Sequence, residues 1–207
     1  TVFDEPTVDV ADSLGETFET TRGYLKPYPC CRWAQPGLEA ALELSAAHGL
    51  DSATVDAVRI ETFSEATRLA TRAPESPEEA QYSYPYPVAA ALVRGRFTQR
   101  EHAADVRTDP DVLALADRVD LRVDDALDAR FPSECLARIV VETPTETYSS
   151  GVTRASGARD DLLADDELRE KCRRLVAPTL PPASVDTTDR RLDDDGSVFA
   201  LLAPWRP

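Results

Sequence analysis

The sequence predicts an α+β fold, a small antiparallel sheet covered by helices. Three observations lead there. Helical periodicity alternates with short strand-like runs, and the best-defined pair of runs is a hairpin, which joins strands antiparallel. No GxGxxG or phosphate-cradling loop marks a doubly wound parallel sheet. The hydrophobic fraction of 42% over 207 residues suffices for the core of one domain plus an extension.

In chain order, 7-TVDVADSLGET-17 reads as a short helix ending near Gly15, and 18–25 as an extended lead. Pro27 and Pro29 hold 26–30 extended, because proline fixes its own φ and restricts the residue before it. A helix is expected over 32–48, with Ala34, Leu38, Ala41, Leu42 and Ala46 at helical spacing and His48-Gly49 as its stop. Residues 55–62 alternate as a strand with Val58 and Ile60 on one face, and 63–71 read as a short helix. The loop 72–79 opens a helix over 78–94, broken near its tyrosines by Pro85 and Pro87. Asp109-Pro110 starts a helix over 109–118, and 119–123 is a short strand. The hairpin spans 136–154: strand 136–142, turn 143-TPTE-146 and return strand 147–154. After a loop at 155–165, a helix over 166–176 places Leu168, Cys172 and Leu175 on one face. The expected division is a domain over 1–176, then 177–207 as a loop (178–189) and a short apolar helix (197–205) that packs on the domain or on a missing partner.

The formal charge of −15 argues against nucleic acid and anionic membranes as partners. No stretch approaches the roughly 18 apolar residues of a membrane span, and the acidic start lacks a signal-peptide core, so a cytoplasmic protein is expected. The basic residues are two lysines, Lys26 and Lys171, and 21 arginines. Excess acid with few lysines suits a halophilic, high-salt cytoplasm; a GC-rich genome gives the same arginine bias. Four cysteines, with no CxxC pair, and only two histidines predict neither a disulfide framework nor a metal site. The chain has no methionine, so it is expected to be a processed or trimmed product or a piece of a longer protein.

Candidate chemistry centres on 26-KPYPCCRWAQ-35. Lys26, then Pro-x-Pro, then a helix start at Arg32 would form a corner for a carboxylate, with two full charges and a helix N-terminus. The alternative is a surface lysine answering the chain's own acidity. Tyr82, Tyr84 and Tyr86 sit at a broken helix entrance, where one could donate a proton in a cleft or all could serve packing. Cys30 and Cys31 have no histidine near in sequence, so packing or pocket lining fits better than a hydrolase nucleophile. His102, in 98-TQREHAAD-105, reads as part of an exposed polar helix without a role.

Four segments in order resemble the C-terminal domain of the MmgE/PrpD family: 26-KPYPCCRWAQPGLEAALEL-44, 80-AQYSYPYPVAAALVRGR-96, 136-LARIVVETPTETYSSGV-152 and 166-DELREKCRRL-175. The resemblance covers about residues 10–176. It implies the small domain of a lyase or isomerase, similar to 2-methylcitrate dehydratase, iminodisuccinate epimerase and cis-aconitate decarboxylase. Such enzymes dehydrate, decarboxylate or epimerise polycarboxylic acids by proton abstraction, without cofactor or metal, in a cleft between a helical N-terminal domain and this one, usually in a homodimer. Lys26 matches the family's substrate-facing lysine and Tyr86 its active-site tyrosine, both carried over as catalytic. The expected substrate contacts are Lys26 and Arg32, the two charges of that corner, with Cys31 and Gln35, which stand where several members have histidines. The family's aspartate and histidine catalysts belong to the helical domain, which has no counterpart in these residues. The alternative is a stand-alone, non-catalytic module for dimerisation or carboxylate binding.

Overall fold

The computed structural model describes residues 15–16, 18, 23–157, 161–181 and 183–192. The expected helices over 7–17 and 197–205 lie outside the described residues, apart from Gly15 and Glu16.

A five-stranded sheet carries the architecture. Its strands are β1 (Ala57–Thr62), β2 (Val119–Val123), β3 (Leu136–Glu142), β4 (Thr147–Ser149) and β5 (Thr153–Arg154). β3 runs antiparallel to β1, Ile60 opposite Ile139, and β4 and β5 both pair antiparallel with β3. The hairpin is therefore present, with the return strand expected over 147–154 split into β4 and β5, and the class is α+β. One pairing differs from an all-antiparallel sheet: β2 lies parallel to β1, Val58 opposite Val119. A parallel neighbour requires a long crossover, and the chain between the two strands supplies it with helices.

Alternation sorts the faces. Val58, Ile60, Thr62, Ala137, Ile139, Val141 and Val119 point inward and are buried. Arg59, Glu61, Arg138 and Glu142 point outward and pair across β1 and β3: Arg59 to Glu142 at 3.5 Å and Arg138 to Glu61 at 2.7 Å.

Helices cover the inner face. α1 (Gln35–His48) follows a 3₁₀ turn at Arg32–Ala34 and packs on β3. It stops at Gly49, whose φ of +60° is the left-handed conformation that glycine enters without penalty. The broken helix becomes α2 (Pro77–Gln81) and α3 (Pro85–Arg94). Pro85 and Pro87 fall in the first turn of α3, where backbone N–H groups have no helical partner to lose. The Ser83 hydroxyl takes the Tyr86 N–H at 3.0 Å. α3 packs against both α1 and α5 (Pro110–Ala116), with the short α4 (Ala104–Arg107) between them in sequence. Beyond β2, α6 (Asp125–Asp128) leads to a stacked Phe131–Phe63 pair at 4.4 Å, which Trp33 meets edge-on.

Two local expectations are corrected. Residues 63–71 hold only a 3₁₀ turn at Ala66–Arg68. The 178–189 loop is shorter, because α8 (Ala183–Leu192) begins within it. α8 docks on α7 (Asp165–Val176) through Arg173, whose Nη2 lies 2.5 Å from Asp186. Cys172 and Leu175, on the face of α7 that they share with Leu168, are exposed.

Candidate functional site

The lysine segment is not extended over 26–30. Prolines fix φ only, and the intervening Tyr28 lets the chain bend, so that the Cys30 N–H reaches the Tyr28 carbonyl at 3.0 Å. Gln35 holds the bend. Its buried amide donates to the carbonyls of Tyr28 at 2.9 Å and Cys30 at 3.1 Å, and its Oε1 accepts the Tyr28 N–H at 3.3 Å. All of these bonds are internal, so the Gln35 side chain builds the turn.

His102 holds the same turn from the other side. Far from standing on an exposed helix, it ends a 3₁₀ turn (Gln99–His102), is half-buried and bonds the Pro29 carbonyl through Nε2 at 2.9 Å. Burial pulls its pKa below the ordinary histidine value, and a neutral ring with Nε2 protonated suits a carbonyl acceptor. Beside it, Glu101 is fully buried. Burial pushes its carboxyl up, but the Thr98 hydroxyl and N–H, both at 2.7 Å, and Arg96 at 3.1 Å outweigh that and hold its pKa below normal.

Tyr86 belongs to this support. It is completely buried, and its hydroxyl donates to the Glu101 carbonyl. Burial, reinforced by the Glu101 charge, pushes its phenol up to about 12. A substrate-facing Tyr86 does not fit this placement. The phenol lies inside the domain and anchors the turn that carries His102, which in turn fixes Pro29. Tyr84 is also buried and accepts the Gly37 N–H at 3.1 Å, whereas Tyr82 is 64% exposed.

Lys26 projects from the turn, exposed, into a groove of about 270 Å³. The turn 26–29 forms one wall, Phe97–Gln99 a second, and Lys171, Arg174 and Leu175 of α7 the third. The Lys171 ammonium donates to the Lys26 carbonyl, so both lysines of the chain meet here. Partial burial, with Arg174 and Lys26 nearby, pulls Lys171 below its ordinary pKa.

The other expected contacts lie elsewhere. Arg32 stacks over the Tyr24 ring at 4.4 Å and shares with Gln35 a separate, nearly filled cavity of about 20 Å³ beside Cys135. Cys31 is half-buried, and its N–H donates to the Gln81 carbonyl at 2.7 Å. The helix entrance is also engaged: the Gln35 N–H bonds the Arg32 carbonyl and the Gly37 N–H bonds Tyr84. Cys30 is buried, which drives its thiol strongly upward, away from the thiolate a nucleophile needs. Among the described residues no group of three or more His, Cys, Asp or Glu is placed to hold a metal ion. None of the described helices is long and apolar enough to cross a membrane.

Sequence reasoning reached Lys26 but not Lys171 or Arg174. The available signal was that Lys171 is the second of only two lysines.

Fold and groove together define a small α+β domain with a cationic edge. Its sequence matches the MmgE/PrpD C-terminal domain over residues 28–194, and the chain belongs to that family. The match begins two residues after Lys26. A comparison with curated proteins finds no match.

Proposed function

We propose that this chain is the substrate-holding small domain of an MmgE/PrpD-type lyase or isomerase that acts on a polycarboxylic acid by proton abstraction. The observation that carries the reading is Lys26, which stands exposed at a cationic groove in a chain of net charge −15. Such a chain repels anions at long range, so a carboxylate site on it needs a locally positive surface. Lys26 supplies a flexible point charge on a turn fixed by Gln35 and His102. Tyr86 acts as a positioning residue through the Gln99–His102 turn. The base comes from a helical domain, in the same protein or a separate chain, within a homodimer.

A second reading has its own support. The groove gathers cations but no histidine, since His102 is spent on Pro29 and His48 lies against Tyr148 at 4.7 Å between ring centroids. On its own the chain then binds a carboxylate without turning it over.

The test is kinetic. The chain is combined with its helical domain, and dehydration, decarboxylation and epimerisation of polycarboxylates are assayed. Lys26→Ala should raise KM and lower kcat together. Unchanged kinetics would remove Lys26 from the site, and binding without turnover would favour the second reading.

A further inference from the structure

Acids of α7 pair with Arg169 and Arg173 of the same helix, not with Lys171 and Arg174. Asp166 lies 3.3 Å from Arg169. Glu170 faces Arg173 at 3.7 Å. Glu167 accepts the Ala164 N–H at 2.8 Å, closing the start of the helix. These three carboxylates line an adjoining cavity, which shares Pro27, Tyr28, Lys171 and Arg174 with the Lys26 groove, whereas no carboxylate lines the groove itself. Glu167→Lys171 and Glu170→Arg174 are the spacings at which a helix pairs opposite charges, yet neither pair forms. Among the described residues, Lys26, Lys171 and Arg174 have no ion-pair partner. Lys171 and Arg174 are one helical turn apart and share a face.

Three unpaired cations at one groove repel one another, and a ligand with several negative charges relieves that repulsion. We infer that Lys171 and Arg174 form a second carboxylate subsite, so that the groove holds one carboxylate at Lys26 and another against α7. The inference rests on the reading that Lys26 faces a polycarboxylate. It adds the late helix to the site and sets a minimum of two carboxylates for the ligand. The α7 subsite also ties the lysine turn to the ligand, because Lys171 bonds the Lys26 carbonyl.

The experiment is calorimetric titration of the 207-residue chain with tricarballylate, glutarate, acetate and inorganic phosphate. Affinity should fall in the order tricarballylate, glutarate, acetate. Lys171→Gln and Arg174→Gln should each weaken tricarballylate about ten-fold, the size of one lost charge-assisted contact, and leave acetate nearly unchanged. Lys171→Arg should keep the affinity. Arg174→Gln is the cleaner variant, since Arg174 makes no bond to the lysine turn. Arg68→Gln, an exposed arginine outside the groove, controls for the loss of one positive charge and should bind as the parent does. If Lys26→Ala abolishes binding while both glutamine variants of α7 bind normally, the second subsite is wrong and the role of Lys26 stands. If tricarballylate does not bind the parent chain, both fall. Tighter binding of phosphate than of tricarballylate would overturn the carboxylate assignment.

Discussion

A methyl group added at Gly37 would lie 2.5 Å from the Tyr84 hydroxyl and 2.6 Å from its ring. Both residues are buried, so neither can swing away. Gly37→Ala should therefore cost about 1–3 kcal/mol by overpacking, read from urea unfolding. A loss below a few tenths would mean that Tyr84 has room to shift. His102 gives a prediction of opposite origin. Its folded pKa is depressed, so the unfolded state binds more protons below the ordinary value of 6.5, and the His102 contribution is lost as pH falls from there toward the folded value. The buried Glu101 and other carboxylates also weaken the fold in acid, so the informative quantity is a difference. His102→Asn retains an N–H donor and removes the titration. It should lose less stability than the parent between pH 7.5 and pH 5. Equal losses would show that His102 protonation is uncoupled from folding.

At the scale of elements, the helix starts are the clearest test of local logic. Asp109 accepts the Asp111 N–H at 3.0 Å ahead of Pro110, so Asp109→Ala should destabilise α5 by about 1 kcal/mol. An unchanged unfolding midpoint would mean that Pro110 alone defines the start. The elements with strong local signals were legible in the sequence: α1 with its glycine stop, the α2–α3 break at two prolines, and the β3–β4 hairpin. Those decided by distant contacts were not. Nothing within Val119–Val123 states that it pairs parallel to β1, because the choice depends on how the intervening helices return the chain. The sequence of α8, ASVDTTDRRL, is poor in strong helix formers, and its docking on α7 through Arg173 and Asp186 is tertiary. The site divides the same way. Lys26 stood out by its motif, whereas Lys171, 145 residues away, is joined to it only by folding. Tyr86 was legible as special, but spacing could not tell a cleft from a core. Its hydroxyl found a backbone carbonyl.

For the whole molecule, net charge governs how the groove works. With a formal charge of −15, self-repulsion should destabilise the chain at low ionic strength. The Debye length falls from about 10 Å at 0.1 M to about 3 Å at 1 M salt, so the melting temperature should rise over that range. A flat or falling curve would mean that the acidic surface has no bearing on stability. Salt should act the other way on ligand binding, because the groove attracts its ligand through charge.

The rarity of lysine makes the most direct test simple. With lysine ζ-nitrogens labelled, the 207-residue chain has only two such side-chain signals, Lys26 and Lys171. Titration with tricarballylate should move both signals along curves that fit one dissociation constant, since both line one groove. Signals that stay in place at saturating tricarballylate would contradict the cationic groove as the ligand site.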